Sequence, residues 1–165
     1  MEQQAFAPVV FNHVSAALVM GTTSTYTTTV TTQCSFKGRF GTTLAAQTNT
    51  ASPTTDGVTG AAFPALAANQ ATVLVWGVTE AGAIKLCQGS IVDTDTGVTT
   101  TAGAFRLAPQ FPTLPDTICP IAYGLVRTSP TGSAFTAGTT SWTASGITAS
   151  TFKNISCLPD RPSTT

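Results

Sequence analysis

The sequence is short of charge. Of its 165 residues, 7 are basic and 7 acidic, so the formal net charge is zero. Charged side chains make up 8% of the chain, against about 25% in an ordinary soluble domain. That balance excludes a large electrostatic footprint for nucleic acid or an anionic membrane. Histidine is nearly absent too: His13 is alone, and with so few carboxylates little material remains for acid–base catalysis. A serine or cysteine nucleophile would depend on that same His13, and no GxSxG elbow, P-loop or dinucleotide fingerprint occurs. Cys34, Cys87, Cys119 and Cys157 contain no CxxC pair. Three disulfide connectivities are open to them, a reducing compartment disfavours each, and a small buried apolar role is the plainest reading. The opening Met1-Glu2-Gln3-Gln4 has no basic stretch leading into an apolar run, so synthesis and folding in the cytosol are expected. The longest greasy window, Val14 to Met20, is seven residues and too short to span a bilayer.

Threonine fills the space that charge leaves. There are 34 Thr and 23 Ala, and β-branched Thr favours strands. A hydrophobic content of 42% argues against a disordered chain. A neutral Thr/Ala/Ser/Gly surface is cheap to desolvate, because no ion must leave water, and this suits permanent packing against other subunits.

The pattern along the chain predicts an all-β fold, a sandwich or barrel-like domain built of hairpins. Residues 1–22 read as an N-terminal arm, either an edge strand closing the core or a segment docking on a neighbour. Residues 23–157 read as one β domain, and 158–165 as an extended C-terminal tail. Over residues 25–36, Tyr26, Thr28, Val30, Thr32, Cys34 and Phe36 share one face at period two. Lys37-Gly38-Arg39 then reads as a three-residue loop that pairs Phe36 with Phe40. Residues 46–70 read as a long connector that either crosses between sheets or spans to a second lobe, with a short helix as one option near 65–68. The run 71–78 predicts a strand buried on both faces. It turns through Glu80-Ala81-Gly82, setting Val78 opposite Ile84 and Trp76 opposite Leu86. A further strand is expected over 118–126, where Pro120 favours an edge or a bulge.

Few side chains offer chemistry. Asp93-Thr94-Asp95-Thr96-Gly97 has the start of a calcium loop, but position 104 is Ala104 where a glutamate would complete it. Asp93 and Asp95 are thus weak metal candidates in what is most simply an Asp/Gly turn, and neither a metal nor a cofactor is expected. Asn154-Ile155-Ser156 matches a glycosylation sequon. Trp76 and Trp142 suit a core or an interface better than a sugar platform, and Lys37 and Arg39 suit a solvated hairpin tip.

Three stretches carry a resemblance. Phe111-Pro112-Thr113-Leu114-Pro115-Asp116 leads into Ile118 through Val126; Phe135 through Thr140 continues to Gly146-Ile147-Thr148; and Leu158-Pro159-Asp160-Arg161-Pro162 closes the chain. Together they resemble a C-terminal segment of the decoration or cement proteins of tailed-phage heads, over about a third of the molecule. The resemblance implies a β-rich, oligomeric subunit, most commonly a trimer, bound outside the major capsid protein. The expectation is therefore a non-enzymatic virion structural protein on the capsid surface, made in the host cytoplasm, with neither nucleic acid nor membrane as partner. Its anchors would be Phe6, Val9, Val10 and Phe11 in the arm, Leu158 and Pro159 in the tail, and Trp142. The alternative is a head-fibre or tail-associated β module that touches host glycans through an aromatic shelf around Trp142.

Overall fold

The computed structural model describes residues 10–12, 14–21, 23–149 and 152–163. Its centre is a pair of long antiparallel strands, β7 (Gln70–Thr79) and β10 (Ile118–Thr128), buried along almost their whole length. These are near-continuous apolar runs rather than alternating ones, and such strands are stable only where both sheet faces are covered. β8 (Ile84–Gln88) returns from β7 with Trp76 opposite Leu86 and Val78 opposite Ile84. The turn closes through Gly82 at φ 80°, and the Thr79 N–H donates to the Ala83 carbonyl at 2.9 Å, as the sequence predicts. β9 (Val92–Asp93) extends pairing along β7, while β11 (Ile147–Ala149) and β12 (Lys153–Asn154) line the far side of β10.

Pro120 lies in a strand that is central rather than at an edge. The register of β10 shifts between Pro120 and Ala122. The bulge accommodates the missing N–H and changes which residues face which side. Cys119 and Ile121 precede the change on the larger core face, where Ala122 and Val126 follow, while Tyr123 and Leu125 turn to the other.

Two three-stranded sheets cover that larger face. One is β1 (Phe11–Asn12), β4 (Cys34–Phe36) and β5 (Arg39–Phe40); the other is β2 (Leu18–Met20), β3 (Thr25–Thr28) and β6 (Gln47–Ala51). Leu18, Tyr26, Cys34 and Phe36 meet Leu74, Trp76 and Val78 across this boundary. The opposite face, with Val73, Val75, Tyr123 and Leu125, is covered by Phe105, Phe111, Leu114, Ile155 and Leu158, which lie outside the named strands. The molecule is all-β and layered, and among the described residues three antiparallel sheets form that do not close into a barrel.

Four expectations are corrected. The connector expected over residues 46–70 opens with a strand instead, β6, which pairs with β3 through Tyr26 opposite Thr50 and Thr25 opposite Ala51. The strand expected over residues 25–36 is two strands in two different sheets: the chain bends at 29–30, which leaves Val30 39% exposed although its period-two companions Tyr26, Thr28, Thr32, Cys34 and Phe36 are buried. No helix forms at 65–68, where Leu66 exchanges backbone hydrogen bonds with Phe135 at 2.8 and 3.1 Å before the chain turns at 68–69. Finally, the β4–β5 turn has two residues, not three. Lys37 and Gly38 both take positive φ, 50° and 78°, the conformation of a type I′ hairpin, so Phe36 pairs with Arg39 and Ser35 with Phe40.

Candidate interaction surface

That one-residue difference builds the surface. Side chains alternate between the faces of a strand, so a single slip moves every residue to the other side. Phe36 points inward at 5% exposure, and Phe40 points outward at 67%. Across β4, Ser35 also pairs with Phe11 of β1. Phe11, Ser35 and Phe40 therefore form one cross-strand row on the outer face of the small sheet, with Phe11 38% exposed. Beneath the row, Asn12, Cys34 and Phe36 are buried. Asn12 fixes the strand from below: its N–H donates to the Ser156 carbonyl at 2.9 Å, and its Nδ2 donates to the Ile155 carbonyl at 3.3 Å.

Beside this face lies a cleft of about 430 Å³ lined by Phe36, Lys37, Arg39, Glu80, Asp116 and Thr117. Two cations from the β4–β5 hairpin thus face two carboxylates borne on loops of the central sheet, with no ion pair among them. The single ion pair among the described residues is elsewhere, Arg106 Nε to Asp95 Oδ1 at 3.4 Å, and exposed. Aromatic rings with polar and charged groups at their margin share the composition that protein interfaces favour.

No protein-family model matches the chain, and no curated protein or solved structure shows significant similarity to it.

The residues expected at an interface are scattered. Phe6 and Val9 lie outside the described residues, as does His13. Val10 is half-buried against the main core, whereas Phe11 is on the surface. Leu158 packs under the second face of the central sheet, with Pro159 exposed beside it. The tail folds back on its own domain: Pro162 is buried, and the Ser163 N–H donates to the Tyr123 hydroxyl at 3.1 Å. Trp142 is 3% exposed, its Nε1 donating to the Thr25 carbonyl at 2.9 Å. It sits 5.6–5.8 Å from Phe135, Trp76 and Phe152, so the aromatic shelf that the glycan alternative required is not on the surface. Asp93 accepts from the Gln70 amide at 3.5 Å and Asp95 pairs with Arg106. Among the described residues no three His, Cys, Asp or Glu gather around a common point.

The sequence pattern pairs Phe40 with Phe36 and gives Ser35 no part in an interface, and it leaves Lys37 and Arg39 at a solvated tip. The signal was present in the Lys37-Gly38 dipeptide, since a two-residue turn with Gly second is the commonest short hairpin closure.

Proposed function

We propose that the chain is a non-enzymatic virion structural protein that decorates and cements the outer surface of a phage capsid, bound to the major capsid protein and to further copies of itself, with a trimer favoured. The observation that carries this reading is the Phe11–Ser35–Phe40 row, an aromatic face on a small sheet in a molecule with only 14 charged side chains. The resemblance of residues 111–162 to auxiliary head proteins supports the choice of partner. The work done is thermodynamic. An interface of about 1,600 Å² at about 25 cal/mol per Å² has a large gross term, most of which is offset by lost freedom and polar desolvation. Several anchors on one oligomer then raise avidity without new contacts.

The test is Phe11→Ser with Phe40→Ser, added to undecorated expanded shells, with occupancy read by quantitative gel densitometry. Phe40 is 67% and Phe11 38% exposed, and circular dichroism of the double variant verifies its fold beside the binding measurement; a deletion through residue 12 would instead remove β1 and the Asn12 bonds. Together the two rings contribute about 2 kcal/mol or more, so binding weakens at least about 30-fold. Unchanged occupancy overturns the role of this face. Decorated particles release their DNA at a higher temperature than bare ones, and equal release temperatures overturn the cement role.

A further inference from the structure

Four of the chain's 14 charged side chains gather in the cleft beside the β4–β5 hairpin, and none of the four is ion-paired. Lys37 and Arg39 come from the hairpin, Glu80 from the β7–β8 turn, and Asp116 from the turn that enters β10. All four are exposed. Backbone bonds hold the acidic wall in place: the Thr42 N–H donates to the Glu80 carbonyl at 2.7 Å, and the Ile118 N–H donates to the Pro115 carbonyl at 3.0 Å, closing the turn around Asp116. The hairpin tip stands clear of its own chain, because a Cβ placed on Gly38 would meet nothing within 4 Å. Arg39 pairs with Phe36, so both lie on the cleft side of the hairpin, whereas Phe40 lies on the outer side with Ser35. The cleft and the aromatic row are therefore separate surfaces of one hairpin.

We infer that the cleft is the contact between copies of this chain, with the Lys37–Arg39 tip of one copy set against the Glu80 and Asp116 wall of the next. Charge complementarity names the occupant. The cleft holds two charges of each sign, so a partner of a single sign would be repelled by one of its walls. Each copy, in contrast, carries a cationic tip to give and an acidic wall to receive. A tip-to-wall contact is head-to-tail and repeats round a closed ring, the form that the proposed trimer requires. A formal net charge of zero leaves no overall repulsion between copies. Charge pairs at such a contact fix the register and turn away wrong partners. The inference rests on the self-association proposed above and names its surface; shell binding through Phe11 and Phe40 is read by a different experiment on the other side of the hairpin.

The experiment measures the oligomeric state of the full chain, without shells, by sedimentation velocity and native mass spectrometry. The wild type associates at low salt, and its association weakens as salt shortens the reach of exposed charges. Lys37→Glu with Arg39→Glu places like charges across the contact and weakens association at least about tenfold. Adding Glu80→Lys and Asp116→Lys to that variant reverses both halves and restores the oligomer, with circular dichroism verifying the fold of each variant. The decisive step mixes this fourfold variant with heavy-nitrogen-labelled wild type. Every mixed contact then sets like against like, so the two sort into separate oligomers. Statistical mixing of the two overturns the inference, as does a folded fourfold variant that stays dissociated. An oligomer indifferent to salt and to Lys37→Glu with Arg39→Glu overturns this contact while leaving self-association standing. A wild type that stays monomeric overturns both, and leaves the aromatic row to its own test.

Discussion

Gly124 lies in β10 opposite Leu74, and a Cβ at that position would stand 2.5 Å from Cδ1 of Phe152. The ring of Phe152 is 5% exposed and sits 4.2 Å from that of Trp76, so it has no open direction in which to yield. Gly124→Ala thus inserts one methyl group into a filled aromatic cluster, and overpacking of this kind costs about 1–3 kcal/mol. Urea denaturation measures it as a lower midpoint at unchanged slope; an unaltered midpoint means that Phe152 moves freely. The same cluster explains the position of Trp142. The sequence identifies a large amphipathic ring in a Thr-rich segment, which suits either a core or a surface shelf. The choice is made by the Thr25 carbonyl that accepts its N–H, a partner 117 positions away that local pattern does not reveal.

Sheet edges show how far the sequence is legible at the scale of elements. The β7–β8 hairpin is legible down to its register, because a glycine at φ 80° and two matched apolar faces lie within a few residues of one another. The first hairpin is misread by one residue, since Lys37-Gly38 and Lys37-Gly38-Arg39 are both acceptable local turns, and they differ in whether Phe40 lies on the face of Phe36 or on the opposite one. The covering of the β8 edge is not legible at all. There Gly57 donates to the Leu86 carbonyl at 2.7 Å, and Asp56 Oδ2 accepts the Gln88 N–H at 3.0 Å. Oδ1 of Asp56 meanwhile accepts from the Val58 and Thr59 N–H groups and the Thr59 hydroxyl. This clamp blunts an edge that would otherwise template another strand. Burial pulls the Asp56 carboxyl upward, but the donors from Gln88, Thr59 and Val58 outweigh it and hold the group below the usual carboxylate range. A depressed folded value means that the stabilisation is complete above the unfolded value of about 4 and is lost as pH falls through the folded one. Asp56→Ala is expected to cost about 1–3 kcal/mol at pH 7, and the gap from wild type narrows as pH drops below about 4. A gap that stays constant from neutral pH to about pH 3 overturns the clamp.

For the whole molecule, the central question is what joins three sheets into one body. Composition and periodicity predict strands and identify which faces are apolar, but they do not say which sheet a strand joins. The period-two run over residues 25–36 continues unbroken while the chain passes from one sheet to another. Two asparagines hold the assembly at long range. Asn12 binds the 155–156 backbone to the sheet of β1, β4 and β5, while Asn154 in β12 pairs its side-chain amide with both backbone groups of Leu18 in β2, at 2.7 and 3.1 Å. These contacts span 143 and 136 positions, beyond any local signal. They imply a hierarchy that native-state hydrogen exchange resolves. β7 and β10, covered on both faces, exchange slowest and only through global unfolding, whereas β1 and β6, at the margins of the small sheets, exchange first. Asn154→Ala leaves the Leu18 N–H and carbonyl without their partner, at a cost of about 1–3 kcal/mol, and releases β2 from the central sheet. Exchange in β2, β3 and β6 then accelerates by about 10-fold or more while the hierarchy above them persists, with β7 still the slowest strand. If exchange in β7 instead merges with that in β2, the three sheets open as one cooperative unit and the two-asparagine linkage is not what separates them.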